Sequence, residues 1–148
     1  MSETQLPPEE DLSDSLNEQR QLSYGAGLVF VFLMGAVFTA HFHTLPYWQR
    51  LEFVAVFLCS VLSMIFLLAP AAQHRVMRPL KDRKKFKRKS TLFIKLGLVT
   101  MPLSWVLATH LVVTIAWGFV EATVIAPIIG SIILYVWWIY PLMNKDEA

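Results

Sequence analysis

Four long apolar blocks alternate with short polar segments along the 148-residue chain. The blocks cover about residues 22–40, 51–72, 92–117 and 122–142. Charged residues within them are confined to Glu52 and Lys95. At 1.5 Å per helical residue even the shortest block reaches about 28 Å, close to the ~30 Å hydrocarbon core of a bilayer. The pattern predicts an all-α fold, a bundle of four transmembrane helices made of two helical hairpins.

The segments between the blocks predict how the helices connect. Residues 41–48 read as a short turn, and residues 73–91 as a longer polar loop. Only residues 117–121 separate the third and fourth blocks, which requires these helices to be antiparallel neighbours. Within the second block, the hydroxyl groups of Ser60 and Ser63 are expected to bond to carbonyl groups one turn earlier in their own helix.

Small residues mark one face of the fourth block. Ala122, Ala126 and Gly130 recur every four residues. In a membrane such spacing lets a second helix approach the backbone closely. The stripe therefore predicts a helix-packing face.

Composition and charge place the chain in a membrane. Hydrophobic residues make up 55% of it and charged residues 16%, against roughly a quarter charged in soluble domains. Nine of the 13 Lys and Arg residues lie together between the second and third blocks: Arg75, Arg78, Lys81, Arg83, Lys84, Lys85, Lys87, Arg88 and Lys89. This basic loop is expected to fix the topology and to attract anionic lipid headgroups. Its one aromatic residue, Phe86, is too few for nucleic-acid stacking, so no nucleic-acid partner is expected.

The ends of the chain complete the topology. Residues 1–20 form an acidic tail that is expected to be largely disordered, with a short interfacial helix from about Ser13. Residues 144–148 form a second short tail. Four spans place both tails and the basic loop on one side and leave only Arg50 on the other. The positive-inside rule then predicts a protein of the inner (plasma) membrane with both termini in the cytoplasm. The acidic residues before the first block are unlike the basic start of a signal peptide, so no cleavage is expected.

Four short motifs carry a resemblance to a known family. They are Leu16-Asn17-Glu18, Phe38-x-x-His41-Phe42-x-x-Leu45, Gln49-Arg50 and Ala69-Pro70-x-x-x-His74-Arg75. In this order they resemble a bacterial family of small four-helix integral membrane proteins, catalogued as a domain of unknown function, over about residues 16–142. Family members usually have Arg where this chain has His41, and some carry automatic labels as sodium/proton antiporters. The resemblance implies the four-span architecture and no catalytic residue.

Five ionisable residues are expected near the outer membrane boundary: His41, His43, Glu52, His110 and Glu121. His110 and Glu121 lie close enough across the tight turn to pair, and histidine changes its charge near neutral pH. His41, His43, His110 and Glu121 therefore form a candidate proton or cation site. The alternative is that these residues are simply wetted by water, with Glu121 favoured at a helix N-terminus. The His-x-His spacing lacks further ligands, so neither a metal nor a cofactor is expected.

The function remains open between two classes. No nucleophile–base pair or phosphate-binding loop occurs, which argues against an enzyme. The central parts of the blocks also lack the acidic residue typical of proton-coupled carriers. We expect a non-enzymatic accessory or assembly component, either a homo-oligomer or bound to a larger membrane protein through the Ala122/Ala126/Gly130 face and the basic loop. The alternative is a small oligomeric ion or proton transporter that uses His110 and Glu121.

Overall fold

The part of the chain that the structure describes is almost entirely helical, which confirms the all-α prediction. The computed structural model describes the backbone of residues 8–77 and 83–144, and the side chains of residues 21–77, 86 and 88–144. The helices are α1 (Pro8–Val37), α2 (Ala40–Thr44), α3 (Tyr47–Val76), α4 (Arg83–Ala116), α5 (Phe119–Leu134), a π-helical segment (Tyr135–Ile139) and α6 (Tyr140–Met143).

Within the described residues, three helical segments are long and apolar enough to cross a membrane: Tyr47–Val76, Arg88–Ala116 and Phe119–Met143. A fourth apolar segment, Gln21–Val37, is shorter. The three long segments coincide with the second, third and fourth apolar blocks, and the short one lies in the first block. By length and composition the chain is therefore that of a membrane protein.

The first helix begins earlier and ends earlier than the sequence pattern predicts. It begins at Pro8, where a missing N–H costs nothing because the first N–H groups of a helix have no partner within it. It ends at Val37, and the hydroxyl of Thr39 donates to the carbonyl of Ala36 at 2.7 Å. Residues 1–7 of the expected tail lie outside the described residues, as do residues 145–148.

The polar connections are also more helical than expected. Residues 40–44, expected as a turn, form α2. The expected loop of residues 73–91 is shortened from both sides, since α3 continues to Val76 and α4 begins at Arg83. Lysine and arginine are good helix formers, so the basic sequence extends α4 beyond its apolar part.

The helices pack in the order α1–α3–α4–α5. The most extensive contact joins α3 and α4, and α1 packs mainly on α3 while α5 packs on α4. A smaller contact joins α1 and α4. The core is therefore built along the α3–α4 pair.

The core face of α3 follows a seven-residue repeat. Its buried residues are Phe53, Val56, Ser60, Ser63, Leu67 and Pro70, spaced alternately three and four apart. This spacing keeps one stripe of a helix against its neighbours with knobs-into-holes packing. The two serines of the repeat therefore lie at the contacts between helices.

The serine hydroxyls bond to neighbouring helices, so the prediction of bonds within their own helix is wrong. Ser60 Oγ donates to the carbonyl of Ala26 on α1 at 3.3 Å, and Ser63 Oγ donates to that of Gly97 on α4 at 3.4 Å. Ala26 has only a methyl side chain and Gly97 has none, so the backbones of α1 and α4 come close enough for the serine hydroxyls to reach these carbonyl groups. A Cβ on Gly97 would lie 2.7 Å from the side chain of Leu67.

Two special backbone features shape the last helices. Only Trp117 and Gly118 separate α4 from α5, a shorter link than residues 117–121, and the two helices pack together as expected. The π-helical segment precedes Pro141, which has no N–H and would clash with the carbonyl four residues earlier in an α-helix. The N–H of Tyr140 instead bonds to the carbonyl of Tyr135.

Candidate functional site

A glutamate and a histidine meet between α3 and α4. Glu52 lies near the start of α3 and His110 near the end of α4, and His110 Nδ1 is 2.5 Å from Glu52 Oε1. The side chains are partly buried, with 21% of His110 and 19% of Glu52 exposed. We call the end of the molecule where α1 ends and α3 begins the α2 end. The pair lies at this end.

The register of α3 against α4 explains this pairing. Phe53 and Leu111, the next residues along each helix, belong to the same buried cluster. Packing of these two side chains therefore brings Glu52 and His110 together. The hydrogen bond of His110 goes to Glu52, whereas the short link between α4 and α5 had suggested Glu121 as the partner. The seven-residue repeat of α3 was the sequence signal that would have placed Glu52 beside α4.

The surroundings of the pair combine an aromatic ring and a buried hydroxyl. The ring of Phe119 meets that of His110 edge-on, with centroids 5.6 Å apart. Thr114 lies one helical turn beyond His110, and its buried Oγ1 has no hydrogen-bond partner in the described part of the chain. An ionised carboxylate can only accept hydrogen bonds, so an ionised Glu52 requires Nδ1 of His110 to be the donor.

Glu121 has a different environment. It lies exposed in the first turn of α5, where the positive end of the helix dipole favours a carboxylate. Its Oε2 folds back to within 2.8 Å of the position that a Cβ on Gly118 would occupy. The carboxylate of Glu121 thus lies over the tight link at Gly118.

The two histidines of α2 do not join the hydrogen bond between Glu52 and His110. His43 meets the ring of Phe42 edge-on, and His41 lines an apolar cavity between α1 and α4. Among the residues that the structure describes, no group of three or more His, Cys, Asp or Glu side chains is arranged to hold a metal ion. The four residues of the candidate proton or cation site are therefore not gathered in one metal-binding cluster.

The small-residue stripe of α5 is used within the chain. Ala122 and Ala126 are buried, and a Cβ on Gly130 would lie 3.3 Å from Val106 on α4. The stripe thus packs α5 against α4. Because α4 already occupies this face, a partner protein needs another surface.

The described residues of the basic loop lie at the ends of α3 and α4 that are remote from α2. Arg75, Arg88 and Lys89 are exposed, and Phe86 is buried with its ring 5.8 Å from that of His74. Arg78 and Lys81 lie outside the described residues. Four further residues, of which the structure describes only the helical backbone, are Arg83, Lys84, Lys85 and Lys87.

Comparison with known proteins identifies a family. No curated protein and no solved structure matches the chain. A model of a family of unknown function, DUF6328, matches residues 9–141 and so includes all four motifs that carry the resemblance. The resemblance to a domain of unknown function is confirmed, and the chain belongs to the DUF6328 family.

Proposed function

We propose that this protein is a non-enzymatic integral membrane protein that acts as an accessory or assembly component. In this proposal all four apolar segments cross the inner membrane, and both termini and the basic helix ends face the cytoplasm. The protein associates with copies of itself or with a larger membrane protein. The distribution of Lys and Arg supports the orientation, since among the described side chains Arg50 is the one Lys or Arg at the α2 end.

The observation that carries the proposal concerns the glycines of α1. A Cβ on Gly25 would meet Met101 and Trp105, so this glycine serves packing within the chain. A Cβ on Gly27 or Gly35 would meet nothing within 4 Å. Glycine costs a helix about 1 kcal/mol relative to alanine. At these two positions no close packing contact with a described residue offsets that cost.

The position of these glycines indicates where a partner packs. Gly27, Val31 and Gly35 recur every four residues along α1, and Val31 is exposed. α1 makes its main contact with α3, so this row faces away from the rest of the chain. Rows of small residues in membranes allow a second helix to approach closely. The open row of α1 replaces the Ala122/Ala126/Gly130 face as the proposed surface for association.

The polar groups inside the protein support an accessory role rather than a transport role. Ser60 and Ser63 donate to carbonyl groups of adjacent helices, so they hold the helices together. The Glu52–His110 pair lies at one end of α3 and α4. A carrier usually places its ionisable site near the middle of the membrane.

The mass of the complex tests the proposal. The tagged full-length protein is extracted in mild detergent, and its mass is measured by native mass spectrometry. Wild type is expected as a homo-oligomer or with a stoichiometric partner. Gly27→Leu and Gly35→Leu are expected to release the monomer with its helix content intact, because a Cβ at either position would have no described atom within 4 Å.

The matched control is Val124→Leu, a substitution at an exposed position of α5. It adds apolar volume to another outer surface and is expected to leave the complex unchanged. A monomeric wild type, or a complex that persists in both glycine variants, would contradict association through α1.

The Glu52–His110 pair supports a second candidate function, a small oligomeric proton or cation carrier. In this case Glu52, rather than Glu121, is the partner of His110. His110→Ala or Glu52→Gln is expected to abolish pH-dependent cation flux into liposomes while the protein still inserts. Glu121→Gln is the control and is expected to retain flux, because Glu121 is exposed beside Gly118. Equal flux in all three variants and wild type would leave the accessory role as the better account.

A further inference from the structure

A cavity of about 100 Å³ lies at the α2 end between α1 and α4. Its floor consists of buried side chains, among them Leu33, Phe53 and Leu111. α2 lies over it with Phe42, whose ring packs against Phe53 with centroids 4.8 Å apart. Several elements therefore build this cavity, which is a defined site rather than a dent in a single helix.

The sides of the cavity open onto the outer surface of the molecule. Phe32 of α1 and Val112 and Ile115 of α4 line it, and all three side chains are exposed. α1 and α4 make only a small contact, so the gap between them stays open at this point. In the four-span arrangement this opening faces the hydrocarbon of the bilayer and not water.

The chemistry of the lining selects an aliphatic ligand. The walls are almost entirely apolar, and Thr39 and His41 supply the polar groups, on the side of α2. The hydroxyl of Thr39 already donates to the carbonyl of Ala36, so the walls offer little to a polar ligand. An apolar cavity of roughly 150 Å³ accepts benzene, so this smaller one suits a short length of a flexible chain.

We propose that this cavity binds one acyl chain of a membrane phospholipid, which enters between α1 and α4 with its polar head towards α2 and His41. The site rests on the proposed four-span arrangement, because only that arrangement places the opening in hydrocarbon. The apolar side chains that line an empty cavity lack dispersion contacts on the cavity side. An acyl chain in the cavity supplies these contacts. The bound chain thereby joins α1 to α4 where the protein itself leaves a gap.

Photo-crosslinking tests the site. The full-length protein is reconstituted in phosphatidylglycerol–phosphatidylcholine vesicles that contain a phospholipid with a diazirine on one acyl chain. After illumination, labelled residues are mapped by mass spectrometry. Labelling is expected to be several-fold higher at Phe32 and Val112 than at Val124 and Ile128, which are equally apolar and exposed on α5.

Filling the cavity supplies the matched comparison. Ala108 lines the cavity, and Ala108→Leu is expected to reduce labelling of Phe32 and Val112 several-fold while α5 remains labelled. Ala55→Leu, at an exposed position of α3, is the control and is expected to change nothing. If Ala108→Leu fails to fold, the smaller substitution Ala36→Val is used instead. Ala36 lines the same cavity, so this variant is also expected to reduce labelling of Phe32 and Val112.

The outcomes separate this site from the proposed function. Equal labelling of all exposed positions, unchanged by the filling variants, would overturn the acyl-chain site alone. If Val124 and Ile128 on α5 are not labelled at all, in addition to Phe32 and Val112, the four-span arrangement itself would be overturned. Association through α1 is measured separately by native mass.

Discussion

Gly118 has φ 138° and ψ 169°, a backbone conformation that only glycine adopts at little cost. This conformation turns the chain from α4 into α5 within two residues. The carbonyl of Gly118 also accepts the N–H of Ala122, at 3.3 Å. The single residue thus decides that α5 packs back along α4.

Gly118→Ala is expected to destabilise the protein by about 1–3 kcal/mol, because alanine is strained at this φ. The new Cβ would also lie 2.8 Å from Glu121 Oε2. Reversible unfolding in mixed detergent micelles measures the change. Gly35→Ala is the control, since Gly35 is helical and open, and it is expected to stabilise by about 0.5–1 kcal/mol. Equal effects of the two substitutions would contradict the assignment of strain to Gly118.

Glu52 and His110 are two partly buried polar side chains, and each satisfies a hydrogen bond of the other. Loss of either partner leaves the other with an unmet hydrogen bond, at a cost of about 1–3 kcal/mol. Glu52→Ala and His110→Ala each remove one partner of the hydrogen bond, and each is expected to lower the unfolding free energy. The double variant is expected to cost less than their sum by about 0.5–3 kcal/mol. Additive effects, or an equal loss in exposed Glu121→Ala, would show that the pair is not coupled.

Among the elements, α3 organises the packing. It contacts α1 and α4 along one seven-residue repeat, and serines at the centre of that repeat bridge to both neighbours. Interhelical bonds of this kind contribute only about 0.6 kcal/mol each on average in membranes. The close approach of α3 to α4 therefore depends more on Gly97 than on the hydroxyl groups.

Gly97→Ala is expected to destabilise the α3–α4 contact by about 1–3 kcal/mol, because overpacking a buried contact forces side chains and backbone to shift. Its Cβ would lie 2.7 Å from Leu67, whose side chain is fully buried. Unfolding in detergent measures the loss. Gly27→Ala is the control, and it is expected to be neutral or stabilising. An unchanged unfolding free energy in Gly97→Ala would contradict this prediction, because it would mean that the buried side chain of Leu67 can move aside at no cost.

For the whole molecule, charge and apolar length together indicate an orientation. The four apolar blocks contain only two charged residues, Glu52 and Lys95, while most of the described Lys and Arg residues gather at the ends of α3 and α4 remote from α2. The proposed arrangement places the α2 end outside the cell and the other end in the cytoplasm.

Single-cysteine variants test this orientation in intact cells, after Cys59→Ser removes the one native thiol. Thr44→Cys, in exposed α2, is expected to react with a membrane-impermeant maleimide added outside. Asn144→Cys, at the opposite end, is expected to react only after the cells are opened. The reverse pattern would invert the topology, and reaction of both sites in intact cells would rule out four spans.

The amino-acid sequence by itself determined the features that depend on local interactions. Runs of apolar residues predict the long helices because each backbone group is satisfied within its own helix, and the brevity of residues 117–121 predicts that α4 and α5 are neighbours. The stripe of Ala122, Ala126 and Gly130 was recognisable as a packing face from its spacing alone.

The tertiary structure decided which surfaces and side chains meet. His110 pairs with Glu52 because α4 packs along α3 in one register, and this register depends on buried side chains distant in sequence. For the same reason Ser60 and Ser63 bond to other helices, and the α5 stripe faces α4 while Gly27 and Gly35 face outward. A sequence pattern shows that a helix has a packing face, but the rotation and axial position of each helix depend on all its neighbours at once.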